Sequence, residues 1–133
     1  AYTEAMRSRD AHWSAMSGYR IGQLYQQLHR EAMRIPPPQA ADTLRKKQLF
    51  EGAMRLRYRV LLEKGLKMMA ATMRMAERTK ESSYWVARAR DAQRQLAQSL
   101  EDERTAMKKL PYTEDEFRAA LDKLKGKKKS ANP

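Results

Sequence analysis

The sequence contains no cysteine, which excludes disulfides and thiolate metal sites and leaves the redox compartment open. Glycine and proline number five each among 133 residues, too few for a turn-rich β protein. The glycines are scattered, so no phosphate-cradling loop forms. No run of about 18 apolar residues is present to span a membrane, and no secretory apolar core is visible. The only histidines are His12 and His29. Neither follows a Glu at three residues, as a carboxylate-bridged metal bundle requires, and neither precedes a second His at four. Surface or partner contact is the expectation for both. No catalytic, metal or cofactor residue emerges, and the chain reads as a non-enzyme. It opens on Ala1-Tyr2-Thr3, which fits a removed Met, a cleaved signal or the edge of a fragment alike.

What the sequence has in excess is positive charge. The net charge is +12, and residues 42–83 carry eleven basic against five acidic side chains. Such a field attracts nucleic acid, anionic lipid or acidic protein without choosing among them. Charged residues make up 33% and apolar residues 41% of the chain, a balance suited to long amphipathic helices with wide solvated faces.

The periodicity predicts an all-α chain of three to four long helices packed as antiparallel hairpins or a bundle. A first helix is expected over residues 3–33. On it Met6, Trp13 and Met16 share one side, while Ile21, Leu24, Tyr25, Leu28 and Ala32 share another. The change of phase at Ser17-Gly18 predicts a bend, and Pro36-Pro37-Pro38 ends the stretch. A second helix is expected over residues 42–78, capped by Asp42 and about 55 Å long. Phe50, Met54, Tyr58, Leu61, Leu62, Gly65, Met69 and Ala76 form its main apolar face. Leu49, Ala53, Leu56 and Val60 form a second face in the N-terminal half, which should therefore be sandwiched between neighbours. A third helix, capped by Ser82 or Ser83, runs to about residue 109 with Trp85, Ala89, Ala92, Leu96, Leu100 and Met107 in one stripe. Thr113 and Glu116 then stand at capping-box spacing between Tyr112 and Phe117, a hydrophobic-staple pair. The short helix they open buries Phe117, Leu121 and Leu124. Residues 1–125 read as a single helical domain and 126–133 as a flexible basic tail.

Glu103 is the anomaly of the third helix, a carboxylate on an apolar stripe. It must be paired, exposed by fraying or engaged in chemistry, and the expected arrangement is a reach to an Arg on a neighbouring helix. Met68, Met69, Met73 and Met75 are expected to fill gaps in the core, with Met75 at its edge. Lys64, Lys67, Arg74 and Arg78 form a basic stripe, and Leu49, Leu56 and Val60 continue that bearing toward the N-terminus. These seven residues are the candidate partner-binding surface, and Lys125, Lys127, Lys128 and Lys129 form the candidate basic tail. Tyr84-Trp85 could offer a stacking platform, but Trp85 begins the core stripe. No zinc knuckle, basic-zipper register or helix-turn-helix accompanies the charge.

Residues 19–25, Tyr-Arg-Ile-Gly-Gln-Leu-Tyr, resemble the first helix of a tetratricopeptide repeat, with Ile21, Gly22 and Tyr25 on its pattern. Residues 65–72, Gly-Leu-Lys-Met-Met-Ala-Ala-Thr, are similar to the second helix of such a repeat, and Ala76-Glu77-Arg78 continue it into a polar turn. The chain looks like the C-terminal region of a bacterial protein of this class. The resemblance implies a helical-hairpin scaffold, or a fragment of an α-solenoid, that docks onto other proteins within a larger assembly. It favours the periplasm or envelope, with the cytoplasm left open. The alternative is a basic module that binds nucleic acid or an anionic membrane through the second helix and the lysine tail.

Overall fold

A computed structural model describes the backbone of residues 2–130 and the side chains of residues 3–126 other than residue 8. Four helices follow one another: α1 (Tyr2–Met33), α2 (Leu44–Thr79), α3 (Tyr84–Lys109) and α4 (Glu114–Ser130), with no strand among the described residues. The all-α expectation therefore stands. Helix α2 is the hub. It packs on α1, α3 and α4, and α1 also packs on α3. Both α1 and α3 run antiparallel to α2. After the break at Leu110-Pro111, α4 continues along the N-terminal half of α2.

The punctuation between helices has local causes. At the start of α2 the cap is Thr43, whose hydroxyl accepts from the Lys46 amide at 3.2 Å. Asp42, the expected cap, instead pairs with the Lys46 ammonium at 3.1 Å. Helix α2 ends at Lys80, which turns left-handed at φ 57° and donates its amide to the carbonyls of Ala76 and Glu77. Ser83 caps α3 by position, without a side-chain hydrogen bond, and its own amide donates to Glu81 Oε1 at 3.1 Å. The capping box of α4 is complete. The Glu116 amide donates to Thr113 Oγ1 and the Thr113 amide donates to Glu116 Oε1, each at 3.2 Å. Tyr112 and Phe117 meet edge to face at 6.2 Å.

Helix α1 departs from expectation in two ways. It runs unbroken through Ser17-Gly18, and its core face is not the large apolar one. Ala11, Ala15, Gly18, Gly22 and Ala32, together with Tyr19 and His29, are buried, while Met6, Trp13, Ile21, Leu24 and Leu28 are exposed. The small residues mesh with an antiparallel ladder on α2. Ala15 packs by Ala76, Gly18 lies against the Thr72 side chain, and Gly22 lies against Met69 and Gly65. A Cβ on Gly22 would stand 3.3 Å from the Gly65 carbonyl oxygen, and one on Gly65 would stand 3.2 Å from that of Gly22. The two backbones touch, which puts this crossing near the close end of the roughly 8–10 Å range of helix packing. Residues 19–25 and 65–72, singled out separately in the sequence, are thus neighbours.

The main core lies where α2 and α3 meet α1. Leu62, Met69, Ala89, Ala92, Leu96 and Tyr19 form it, with Leu66, Met73, Trp85 and Leu100 partly buried around them. Met69 is fully buried, while Met68, Met73 and Met75 are half-buried. On its other side the N-terminal half of α2 receives α4. The Phe117 ring fills the space a Cβ on Gly52 would take, and Ala53 is fully buried. That half is sandwiched, as its two apolar faces require. Helix α4 extends through Gly126 to Ser130, so the backbone is helical where a tail was expected from residue 126. The side chains of Lys127, Lys128 and Lys129, and residues 131–133, lie outside the described residues.

Two outcomes check this packing. Gly22→Leu should destabilise the fold in urea melts by about 1–3 kcal/mol through overpacking, although Leu is the better helix former by close to 1 kcal/mol; a stabilised variant would mean that α1 and α2 do not touch there. Thr113→Ala should destabilise α4 by about 1 kcal/mol, read as a selective loss of hydrogen-exchange protection at Glu116 and Phe117.

Candidate docking surface

The surface expected from the sequence on α2 divides in two. Leu49 and Leu56 are half-buried and only Val60 is well exposed. Leu49 lines an apolar cleft of about 450 Å³ between α2 and α4, with Pro38, Ala41, Phe50, Ala120 and Leu124. The apolar end of this bearing therefore lies beside α4, which takes up part of it within the molecule. Beyond Val60 the bearing is open, and Lys64, Lys67, Arg74 and Arg78 are all exposed. Ion pairs among the described residues use other cations. Lys125 is exposed at the far end of α4.

Tyr84 is exposed and Trp85 half-buried, with their rings edge to face at 5.4 Å. The Arg88 guanidinium sits 4.7 Å from the Tyr84 ring centre, and that of Arg20 sits 5.5 Å from the Trp85 ring centre. Both rings already carry a cation–π partner; Trp85 packs against Tyr19 of α1 at 5.8 Å between ring centres, while Tyr84 stays on the surface.

Glu103 is buried and does reach an Arg of another helix. Arg55 Nη1 donates to its Oε1 at 2.8 Å. The third member was not expected, because His29 is buried rather than at the surface. Its Nε2 lies 3.1 Å from the same oxygen, although the ring N–H does not point along that line. His12, by contrast, is exposed, 3.8 Å from Glu81. One residue from each of α1, α2 and α3 thus meets at a single carboxylate oxygen. Burial pushes the Glu103 carboxyl up, but His29 and Arg55 more than offset it and hold it below the ordinary carboxylate value. Arg55 also bonds Glu51 at 3.2 Å, so the network ends in a surface acid. This cluster ties three helices together.

The surface that sequence reasoning did not place is on α1. Met6, Trp13, Ile21, Leu24 and Leu28 each keep 40% or more of their area exposed. At 3.6 residues per turn they fall within an arc of about 80° and run along about 33 Å of helix. The sequence pattern set Met6 and Trp13 on one side and Ile21, Leu24 and Leu28 on another, either side of a bend at Ser17-Gly18; because α1 is unbroken there, all five share one face. The signal that identifies the true core face is the run Ala11, Ala15, Gly18 and Gly22, small residues at the spacing of one helical face. On one flank of the stripe Arg20, Arg30 and Arg34 line a hollow of about 510 Å³ with Gln23, Gln27 and Glu31. Glu31 there accepts from Gln27 at 3.4 Å.

Glu103→Ala should destabilise the fold by about 2–3 kcal/mol. That lies at or just below the low end for breaking a buried pair, because Arg55 keeps Glu51. The carboxyl ionises more readily in the folded than in the unfolded chain. Its stabilising effect is therefore complete above about 4.5, the ordinary value, and fades as pH falls through the lower folded value. Denaturant melts from pH 7 to pH 3 should show this acid-side loss in the parent and a smaller one in Glu103→Gln. No family model, curated protein or solved structure matches the chain.

Proposed function

We propose that this chain is a non-enzymatic helical module that docks onto other proteins within a larger assembly, and that α1 carries the contact. The observation behind this reading is the outer face of α1, where five large apolar side chains stand in one line on solvent. Isolated exposed apolar residues are ordinary, but an aligned patch of this length is the usual mark of an interaction site. The likeness to a tetratricopeptide hairpin in a bacterial, envelope-associated protein supports the same reading, because the two segments that carry it pack through Gly22 and Gly65. The open basic end of α2 favours a second reading, in which Lys64, Lys67, Arg74 and Arg78 hold the phosphates of nucleic acid or of an anionic membrane.

Salt separates the two. Binding through phosphates should fall by roughly one log unit per log unit of salt for each contact, whereas an apolar anchor on α1 should hold. In affinity purification from a native lysate, proteins retained by the parent chain at high salt should be lost with Leu24→Asp, with the helical circular dichroism unchanged. They should persist with Lys67→Ala and Arg74→Ala combined. The opposite pattern, loss with the charge variant and retention with Leu24→Asp, would replace the docking reading with the phosphate one.

A further inference from the structure

The chemistry of the α1 surface narrows the partner, and this step rests on the docking reading of α1. We infer that the α1 stripe receives an amphipathic helix of a partner protein whose flanking residues are acidic. The stripe is straight and one side chain wide. Ile21, Leu24 and Leu28 stand at the i, i+3, i+7 spacing by which one helix meshes with another. Beside Leu24 is the hollow that Arg20, Arg30 and Arg34 line along the helix with a single acid, Glu31. A helix seated on the stripe would lay its flank over this hollow, so carboxylates there are attracted and cations repelled.

The other occupants fit less well. A second copy would bring two chains of net charge +12 together. An antiparallel isologous contact through the stripe would also set this arginine flank against another of the same sign. An anionic bilayer would have to take in the whole face, and Asp10 lies on it between Met6 and Trp13, where immersion would strip its carboxylate of water. A partner helix can leave Asp10 at its rim. Arginine on one flank, with no matching row on the other, also suits a helix better than a plane of headgroups.

The test uses the full chain and two synthetic peptides of about four heptads with the same leucine and isoleucine stripe. One carries Glu at the flanking positions and the other Lys, and binding is measured by calorimetry. The Glu peptide should bind at least about tenfold more tightly than the Lys peptide. The preference should reverse for the double variant Arg30→Glu, Arg34→Glu. Leu24→Asp should abolish binding of both peptides. Vesicles of phosphatidylglycerol should show no Leu24-dependent binding, and sedimentation should show no Leu24-dependent dimer. Equal affinity for the two peptides, binding of neither, or a preference unmoved by the charge reversal overturns the inference. So does Leu24-dependent capture of vesicles or of a second copy. If the peptides fail while Leu24→Asp still strips proteins retained at high salt, docking stands and only the acidic-helix partner falls.

Discussion

The close approach of α1 to α2 governs the rest of the molecule. Where Gly22 and Gly65 meet, each backbone carbonyl lies within contact of the other helix, and such a crossing favours small residues above and below it. Ala11, Ala15 and Gly18 on α1 and Thr72 and Ala76 on α2 meet that demand. Even the Thr72 hydroxyl is turned back onto the Met68 carbonyl of its own helix at 2.8 Å, so it asks nothing of α1. Once this face is fixed, the helical period dictates where the large residues of α1 go. They stand on the far side. The exposed stripe is therefore a geometric consequence of the contact, and the same rotation carries His29 inward toward α3. A buried imidazole needs a polar partner. Glu103 supplies one, and its own burial is in turn offset by Arg55. The anomaly on α3 and the crossing of α1 on α2 belong to one arrangement.

What the sequence disclosed, and what it withheld, follows from the kind of interaction involved. The α4 cap was legible because both of its bonds link residues three apart, so local spacing suffices. The α3 stripe was legible because Ala89, Ala92 and Leu96 recur at helical spacing and are buried against large side chains of α1 and α2. Trp85, Leu100 and Met107 are only half-buried, however, and the buried Val86 lay outside the expected stripe. On α1 size and burial disagree. Hydropathy weights a Leu or a Trp far above an Ala, while packing at a tight crossing weights shape, and the small face wins because α2 presents a matching ladder. That match is a property of two helices about fifty residues apart. Glu103 was visible as an oddity for a local reason, its place on an apolar stripe. Its partners Arg55 and His29 were hidden because nothing near either one in sequence marks it as inward-facing. Asp42 and Thr43 show the limit at smaller scale. Both are good caps, and the choice turns on one residue of helix phase.

Helix α2 gives the molecule its division of surfaces. Its N-terminal half is covered on one side by the α1–α3 pair and on the other by α4, with Phe117 set over Gly52. Its C-terminal half lacks the second cover and shows Lys64, Lys67, Arg74 and Arg78 to solvent. The change from apolar to basic along one bearing thus follows where a neighbouring helix lies against it. Cations are well suited to an uncovered helix face, because their long stems shield apolar backbone while their charges stay hydrated. That property alone accounts for the basic stripe, so it carries less weight as evidence of a ligand than an uncovered apolar stripe does.

An aligned row of large apolar side chains is a hazard as well as a site, since any other such row attracts it. Here the excess of positive charge bears on the hazard. Copies of the chain repel one another at long range, with a screening length near 10 Å at moderate salt, and the arginines beside Leu24 oppose a like-charged flank at contact. The same field accelerates encounter with an acidic surface. Apolar burial is indifferent to the identity of what covers it, so affinity would come from the stripe and selection from the charge around it. On the docking reading, charge that would keep the stripe from its own kind would thereby favour a partner of opposite sign.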